Sequence, residues 1–283
     1  MSDADMLQPL PVEGLADYHC HCDYSVDAEG TLEEYCRAAL KRNLAEICFT
    51  THFDANPDAR GSAEYICVKG ERKPVSADSL VPYVDHVRRV GEKFYREGLS
   101  VKLGLEVGWF PGCESMVAKL KDRFDFDYLL CGIHELDDIC FCCRHSYREC
   151  FQRYTAEKTV EKYFEYVWIA ARSGLFDCIA HLNYYLRSGL DYYGESMSTL
   201  HRPFMEETFR LLVAGDTGLE INTSALRHGL RDYYPQIEVI NAAKKAGVDV
   251  SRLGSDAHRP EQVGFDFEAA LALATNSIRS CDG

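Results

Sequence analysis

The stretch Asp17–Cys22 reads DYHCHC and combines a strand-like pattern with two candidate metal ligands. A β-strand places alternate side chains on the same face, so His19 and His21 point one way while Cys20 and Cys22 point the other. Two imidazoles on one face of a strand form a pair that a metal ion can bind. A single histidine is more often a hydrogen-bonded core or surface residue, so this pair needs support from the rest of the chain.

Further candidate ligands stand at or just past the ends of later strand-like runs. These runs are predicted at residues 46–51, 101–106, 126–132, 176–180, 219–221 and 251–255. Because parallel strands carry their chemistry at their carboxyl ends, we expect these side chains to converge at one edge of the sheet. The candidate metal ligands are His19, His21, Asp27, His52, Glu106, His134, His181, Asp256 and His258.

Helical segments separate the strand-like runs, which is the order expected of a parallel α/β fold. The first helix begins with a capping-box pattern at residues 31–34. Later helices are predicted at residues 79–97, 160–173 and 237–246. The chain contains seven such β–α units, and no Pro/Gly/Ser-rich linker or repeat divides them. We therefore predict a single α/β domain over residues 1–283, with its site at the carboxyl ends of the strands.

Composition excludes several classes of partner. The chain has 283 residues and a formal net charge of −14, with a pI near 5.2, so a nucleic-acid or anionic-membrane partner is not expected. The first residues lack a basic region followed by an apolar one, and no later stretch is apolar enough to span a bilayer. We predict a cytoplasmic protein whose 13 cysteines are reduced thiols rather than a disulfide framework.

Imidazole and carboxylate ligands suit zinc, manganese and iron. Nine of them exceed what one tetrahedral ion needs, so we predict two to three divalent ions of these elements as the cofactor. A carboxylate between neighbouring ions is the usual way to hold a cluster together, and Glu106, alone at the end of a middle strand, is the natural candidate for that position.

Several short motifs carry a family resemblance. They are DYHCH at 17–21, His52 after the second strand, GLE at 104–106, GIH at 132–134, AHL at 180–182, NT at 222–223 and GSDAHRP at 254–260. Taken together they resemble the polymerase-and-histidinol-phosphatase (PHP) family, and within it the histidinol-phosphate phosphatase branch. The resemblance covers roughly residues 15–272.

This resemblance implies a distorted seven-unit (β/α)7 barrel with a trinuclear metal site at the carboxyl ends of the strands. It assigns His19, His21, Glu106 and Asp256 to the first metal. The second metal would be held by Glu106, His134 and His181, and the third by Asp27, His52 and His258.

The resemblance also implies an activity, namely a metal-dependent phosphomonoesterase that hydrolyses L-histidinol phosphate to L-histidinol and phosphate in histidine biosynthesis. A hydroxide bridging two metals would attack phosphorus in line. Glu106, Asp256 and Arg227 are the predicted catalytic residues. Arg227 follows the sixth strand, where its guanidinium can hold phosphate oxygens, and Arg187 and Arg259 are further candidates for that contact.

Other functions stay open from the residues alone. The substrate could be another small phosphate ester, such as a nucleotide or a sugar phosphate, or a phosphodiester. An amidohydrolase-type barrel also begins with an HxH motif, although such sites often bridge their metals through a modified lysine. A non-catalytic metal-binding or regulatory module is the alternative outside the enzymes. The oligomeric state is not indicated by the sequence.

Two segments, residues 61–77 and 137–155, are predicted to be long loops that cover the site. The second contains Cys140, Cys142 and Cys143 with a C-x-x-C spacing, and Cys150 follows. This group could bind a separate structural zinc. Because no second C-x-x-C or histidine pair completes the set, we favour a thiol-rich loop without a metal, and we expect His145 beside it to lie outside the site.

Overall fold

The computed structural model of the chain describes residues 15–60 and 65–275. Its strands are β1 (Ala16–Cys20), β2 (Glu46–Phe49), β3 (His52–Phe53), β4 (Tyr65–Val68), β5 (Glu71–Pro74), β6 (Ser100–Gly108), β7 (Tyr128–Gly132), β8 (Glu135–Leu136), β9 (Ile139–Cys140), β10 (Cys178–Ile179), β11 (Gly218–Leu219), β12 (Ile221–Asn222) and β13 (Leu253–Gly254). Its helices are α1 (Leu32–Lys41), α2 (Ala77–Tyr95), α3 (Glu114–Arg123), α4 (Tyr147–Phe151), α5 (Ala156–Ser173), α6 (Leu186–Tyr193), α7 (Met205–Ala214), α8 (Ser224–Arg227), α9 (Ile237–Ala246) and α10 (Phe267–Thr275).

A curled parallel sheet organises the fold. Its strands follow the order β1-β2-β6-β7-β10-β11, and β3 continues along β6. A second parallel pair consists of β12, which begins directly after β11 in the chain, and β13. Beyond β13, the backbone of Ala257 forms two hydrogen bonds with the end of the first strand. Its carbonyl accepts the His21 N–H at 2.8 Å, and its N–H donates to the His19 carbonyl at 3.3 Å. The predicted α/β class with parallel strands is therefore confirmed.

The side-chain alternation of the strands divides the core into two parts. Leu103 and Leu105 of β6 join the large apolar core beneath the helices. On neighbouring strands, Cys48, Leu130 and Cys178 form a separate small core with Tyr128 and Ala180. The second set lies on the face that also carries Glu106. Leu130 pairs directly with Glu106 across β6 and β7, and directly paired side chains point to the same face of a sheet. Buried apolar residues thus fill the inner face below the carboxyl edge.

One irregularity in β1 affects the site. Asp17 pairs with Ile47 and Cys20 with Phe49, so β1 has one more residue than β2 between these two pairs. Such a bulge rotates the side chains that follow it. Tyr18 packs against the small inner core while His19 also lies on the inner side, within reach of Glu106.

The two predicted loops contain regular structure. Residues 65–74 form the antiparallel hairpin β4–β5, and residues 61–64 lie outside the described part of the chain. The second segment contains β9, which pairs with β8, and the helix α4. These elements were predicted as loops because the strands are two to four residues long and the helix has five residues, which is too short for a periodic apolar pattern to show.

The helix predictions agree more closely with the structure. The α1 capping box is present, with Thr31 Oγ1 accepting from Glu34 N–H and Glu34 accepting from Thr31 N–H. The α9 bounds are those predicted, while α2 and α5 begin two and four residues earlier than expected, after the N-cap residues Ser76 and Thr155. Across the described residues, no helix combines the length and apolar character needed to cross a membrane.

Candidate metal centre

Glu106 is the centre of the site. It is fully buried near the carboxyl end of β6, and five imidazoles surround its two oxygens. The distances to Oε2 are 3.3 Å from His19 Nε2, 3.4 Å from His21 Nε2 and 2.9 Å from His52 Nδ1. The distances to Oε1 are 3.1 Å from His134 Nε2 and 2.8 Å from His181 Nε2. Residues from five strand ends therefore meet at one carboxylate.

Asp256 and His258 extend this cluster toward the surface. Asp256 Oδ1 lies 3.4 Å from both His21 Nε2 and His258 Nδ1. Asp27 Oδ2 stands 3.4 Å from His258 Nε2 and 3.7 Å from His52 Nε2. The Asp27 side chain is about half exposed, the most open of the nine candidates. The structure thus brings all nine predicted ligands together.

The donor atoms form overlapping groups in which all ligand atoms lie within 4.8 Å of one another. The groups are His19/His21/Asp256, His19/Glu106/His181, His52/Glu106/His134 and His21/His52/His258. Adjacent groups share a residue, which is the arrangement that a cluster of neighbouring ions needs.

The protein alone does not satisfy this cluster. Among the described residues, the buried atoms His19 Nε2, His21 Nε2, His52 Nδ1 and Glu106 Oε2 have no hydrogen-bond partner. A buried polar atom without a partner is costly, and these atoms converge on the same space. Imidazole nitrogen and carboxylate oxygen are suitable donors for zinc, manganese or iron. The residues therefore fit divalent metal ions.

The electrostatics of the cluster agree with this fit. Burial would raise the pKa of Glu106, but His19, His134 and His52 lower that pKa well below its usual range. Burial and the neighbouring His52 and His258 lower the pKa of His21 far below its ordinary value. Against the effect of burial, nearby carboxylates raise the pKa of His19, His52 and His134, so a metal ion bound by these imidazoles would take the place of their protons.

Hydrogen-bond partners that the sequence analysis missed hold the imidazoles in place. Glu220 Oε1 lies 2.8 Å from His19 Nδ1, and Glu220 Oε2 accepts the His181 N–H at 2.8 Å. Asp54 Oδ1 lies 3.2 Å from His134 Nδ1, and Ser25 Oγ lies 3.3 Å from His21 Nδ1. Carboxylates on the far nitrogen of a ligating histidine fix its orientation and raise its basicity.

Two of these partners left a signal in the sequence. Glu220 is a charged residue between Leu219 and Ile221 in a strand-like run, and a charge buried in such a run implies a partner. Asp54 follows His52 with the same two-residue spacing that joins His19 and His21.

The backbone around the site allows the ligand side chains to approach it closely. A Cβ on Gly132 would lie 2.5 Å from His134 Nε2 and 2.7 Å from Glu106 Oε1, so only glycine fits there. His181 and Asp256 have φ angles of 28° and 50°, in the left-handed region that non-glycine residues rarely occupy. Such strain is concentrated at functional sites.

A cavity of about 540 Å³ opens over the cluster. Arg227 lines it, and its Nη2 donates to the carbonyls of Ser255 and Asp256 at 2.7 and 2.9 Å. Its Nη1 is buried and has no hydrogen-bond partner among the described residues. Arg187 also lines the cavity, over the ring of Tyr184.

The sequence analysis was less successful for other residues near the cavity. Arg259 is largely exposed and pairs with Glu29 at 2.9 Å, so the structure does not bring it to the cavity. Arg144 and His145 do line the cavity, which corrects the expectation that His145 lies outside the site. His228 is a further wall residue, and burial together with Arg187 lowers its pKa to about 4. No motif marked Arg144 or His228 in advance.

The fold and the site define a parallel α/β protein with a buried imidazole–carboxylate metal centre at the carboxyl ends of its strands. The family model of the PHP domain matches residues 17–224. A probable histidinol-phosphatase of Deinococcus radiodurans is 33% identical over 276 residues, which is 95% of each chain. The chain belongs to the PHP family, which confirms the resemblance found in the sequence.

Two further relatives extend the comparison. A histidinol-phosphatase of Lactococcus lactis is 25% identical over 260 residues, covering 91% of this chain and 89% of that one. The crystal structure of histidinol phosphate phosphatase from Lactococcus lactis, complexed with zinc, L-histidinol and phosphate, superposes with a TM-score of 0.72. It covers 92% of both chains at 21% identity, a likeness of fold.

Proposed function

We propose that this protein is a metal-dependent phosphomonoesterase that hydrolyses L-histidinol phosphate to L-histidinol and phosphate, a step of histidine biosynthesis. The observation that carries the proposal is the convergence of five imidazoles on the buried Glu106 carboxylate beneath a cavity lined by arginine. The relatives named as histidinol-phosphatases support the choice of substrate, since they match this chain over nearly its whole length.

The nine candidate ligands would hold two to three divalent ions of zinc, manganese or iron, with Glu106 shared between neighbouring ions. The overlapping donor groups support this number, because one ion cannot contact all of them. Zinc is supported by the Lactococcus relative, whose structure contains it. When bound, such ions would supply activated water and neutralise phosphate oxygens.

The charge of the centre favours a phosphate dianion. Three divalent ions carry six positive charges, and Glu106, Asp256 and Asp27 contribute three negative ones, so the occupied site is net positive. Arg227, which lines the cavity, is proposed to hold one phosphate oxygen through its guanidinium, which two backbone carbonyls fix at Nη2. Arg187, which also lines the cavity, would contact the phosphate as well.

Two further carboxylates act on position rather than on the reacting atoms. Glu220 and Asp54 keep the far nitrogens of His19 and His134 bonded, so that their other nitrogens stay directed at the centre. Asp256 is proposed as a catalytic residue because it lies at the cavity wall between the deep and the outer donor groups.

The architecture is proposed to be a seven-unit (β/α)7 barrel. The hydrogen bonds between the His19–His21 backbone and Ala257 link the last strand unit to the first, and β11 leads into β12 after a single residue. A single domain over residues 1–283 and a cytoplasmic location stay predictions, and residues 1–14, 61–64 and 276–283 lie outside the described chain.

Phosphate release from a panel of monoesters, measured together with metal content on the same sample, tests the proposal. We expect two to three ions per chain and the highest kcat/KM for L-histidinol phosphate, with activity removed by a chelator and restored by zinc, manganese or iron. Release from another monoester alone would transfer the proposal to a different small phosphate ester. A fully metal-loaded protein that releases no phosphate would contradict the phosphatase assignment.

A further inference from the structure

Three cysteines that the proposed function does not use form one wall of the cavity. The Cys140, Cys142 and Cys143 side chains all line it, and their sulfurs lie within 4.8 Å of one another. The Sγ atom of Cys140 is 3.2 Å from that of Cys142 and 2.8 Å from that of Cys143. Cys150, included with them in the sequence analysis, is buried in α4 and is not part of this group.

The backbone holds these thiols in position. Cys140 ends β9, and Cys143 N–H donates to Cys140 Sγ at 3.2 Å. Ser146 Oγ donates to the Cys140 carbonyl at 2.8 Å, and Phe141 N–H donates to the His134 carbonyl at 3.0 Å. The segment is therefore fixed both within itself and to the strand end that carries His134.

The spacing of the sulfurs suits a tetrahedral ion. With Zn–S bonds of about 2.3 Å, ligand sulfurs stand roughly 3.8 Å apart. The observed sulfurs need to separate by only about 1 Å or less to reach that geometry. Arg144 and Arg187 line the same cavity, and their charge offsets that of three thiolates.

We propose that Cys140, Cys142 and Cys143 form a second metal site, for a thiophilic ion such as zinc, whose fourth position faces the cavity and takes a nitrogen ligand. Three protein sulfurs leave one position of a tetrahedral ion open. If the substrate is L-histidinol phosphate, which rests on the proposed function, its imidazole is that ligand. The site would then recognise the organic part of the substrate while the imidazole–carboxylate centre binds the phosphate.

Cobalt substitution separates this site from the main centre. Thiolate ligands give Co²⁺ a strong near-ultraviolet charge-transfer absorption, whereas imidazole and carboxylate ligands do not. We expect that absorption in the cobalt-loaded protein, with its loss and one fewer bound ion per chain in Cys143→Ser and in Cys142→Ser. Cys67→Ser, a partly exposed cysteine of β4, is the matched control and should keep both. Circular dichroism verifies that each variant is folded.

Two outcomes would overturn the metal site. One is the lack of charge-transfer absorption in fully cobalt-loaded protein, or its persistence in both cysteine variants. The other is a thiol titration of the denatured, unreduced protein that finds two fewer than the 13 thiols of the sequence, because two of the three cysteines would then form a disulfide. Neither measurement depends on turnover. The proposed thiolate metal site can therefore be disproved while the phosphatase proposal stands, and the phosphatase proposal can be disproved while the metal site stands.

The nitrogen ligand is tested on the same sample. L-Histidinol, which carries the imidazole but no phosphate, should shift the visible cobalt bands of the wild-type protein and leave those of Cys143→Ser unchanged. Inorganic phosphate should act equally on both proteins, because it contacts only the main centre. An identical response of the two proteins to L-histidinol would exclude substrate binding at the thiolate site.

Discussion

Both edges of the parallel sheet carry carboxylates, but the carboxylates of the two edges differ in whether the protein satisfies their hydrogen bonds. At the amino edge, Asp127 accepts the Leu103 N–H at 2.8 Å and Asp177 accepts the Leu129 N–H at 2.7 Å. Glu46 there is bonded by the hydroxyls of neighbouring strands. These carboxylates connect one strand to the next and have their partners within the protein.

At the carboxyl edge the carboxylates meet imidazoles, and several of the facing atoms have no partner in the described chain. Glu106 is buried among five histidines, and its Oε2 makes no hydrogen bond. The two edges therefore differ less in the types of their residues than in their hydrogen bonds, because a buried carboxylate oxygen and several imidazole nitrogens of the carboxyl edge have no partner among the described residues. In parallel α/β folds, residues at one edge of the sheet serve stability and residues at the carboxyl edge serve chemistry.

Replacing a glutamate by glutamine at each edge should give the largest difference in catalytic rate. Glu106→Gln removes the charge shared by five ligands, so we expect kcat for phosphate release to fall by about 1000-fold or more. Glu46→Gln keeps one of the two oxygens that accept from Tyr18 and Ser100 and lies at the edge away from the cluster, so kcat should stay within about threefold. Steady-state kinetics with circular dichroism compare the two, and equal losses would contradict the division between the edges.

Arginine gives a second pair of variants, one inside and one outside the cavity. Arg227→Ala should raise KM for a phosphomonoester by the equivalent of about 1.5–3 kcal/mol, since a charge-assisted contact to the dianion is lost. Arg259→Ala removes an exposed ion pair with Glu29 and should change KM by less than about twofold. A similar rise in KM for both variants would place phosphate binding outside the cavity.

The residues behind the ligands should have a smaller effect. Glu220→Gln weakens the acceptor that orients His19 and the backbone of His181, so we expect metal affinity to fall by about 10- to 100-fold. Competition with a metal-binding dye measures this change. Glu238→Gln, at a half-exposed carboxylate paired with Arg202, is the control and should leave affinity unaltered. Unchanged affinity in Glu220→Gln would show that His19 is positioned without it.

The smallest effect is expected at the amino edge, and on stability alone. Asp177→Ala removes the acceptor for Leu129 N–H, and because Asp177 is exposed we expect the free energy of unfolding to fall by about 0.5–1.5 kcal/mol. Urea denaturation of the metal-loaded protein measures this. The kcat should stay within about twofold, and a large loss of activity would mean that the amino edge takes part in catalysis.

Much of the site could be predicted because its signals are local. The HxH motif states that two imidazoles share a face, and each later ligand follows a strand-like run whose apolar alternation is evident. The capping box of α1 and the bounds of α9 were predictable for the same reason, since caps and periodicity depend on neighbouring residues. The hairpin β4–β5 was missed because its second strand, ERKP, has no buried side chain to mark it.

The sequence by itself determined the order of the main parallel strands and long helices and the identities of the nine candidate ligands, because both are properties of short segments. Only the tertiary structure decided which donor atoms share a space, that Glu220 and Asp54 stand behind the imidazoles, and that Arg259 turns away from the cavity. It also decided that three cysteines face the same cavity. These facts depend on strand register, on the bulge in β1 and on the curl of the sheet, which arise from contacts between residues distant in sequence.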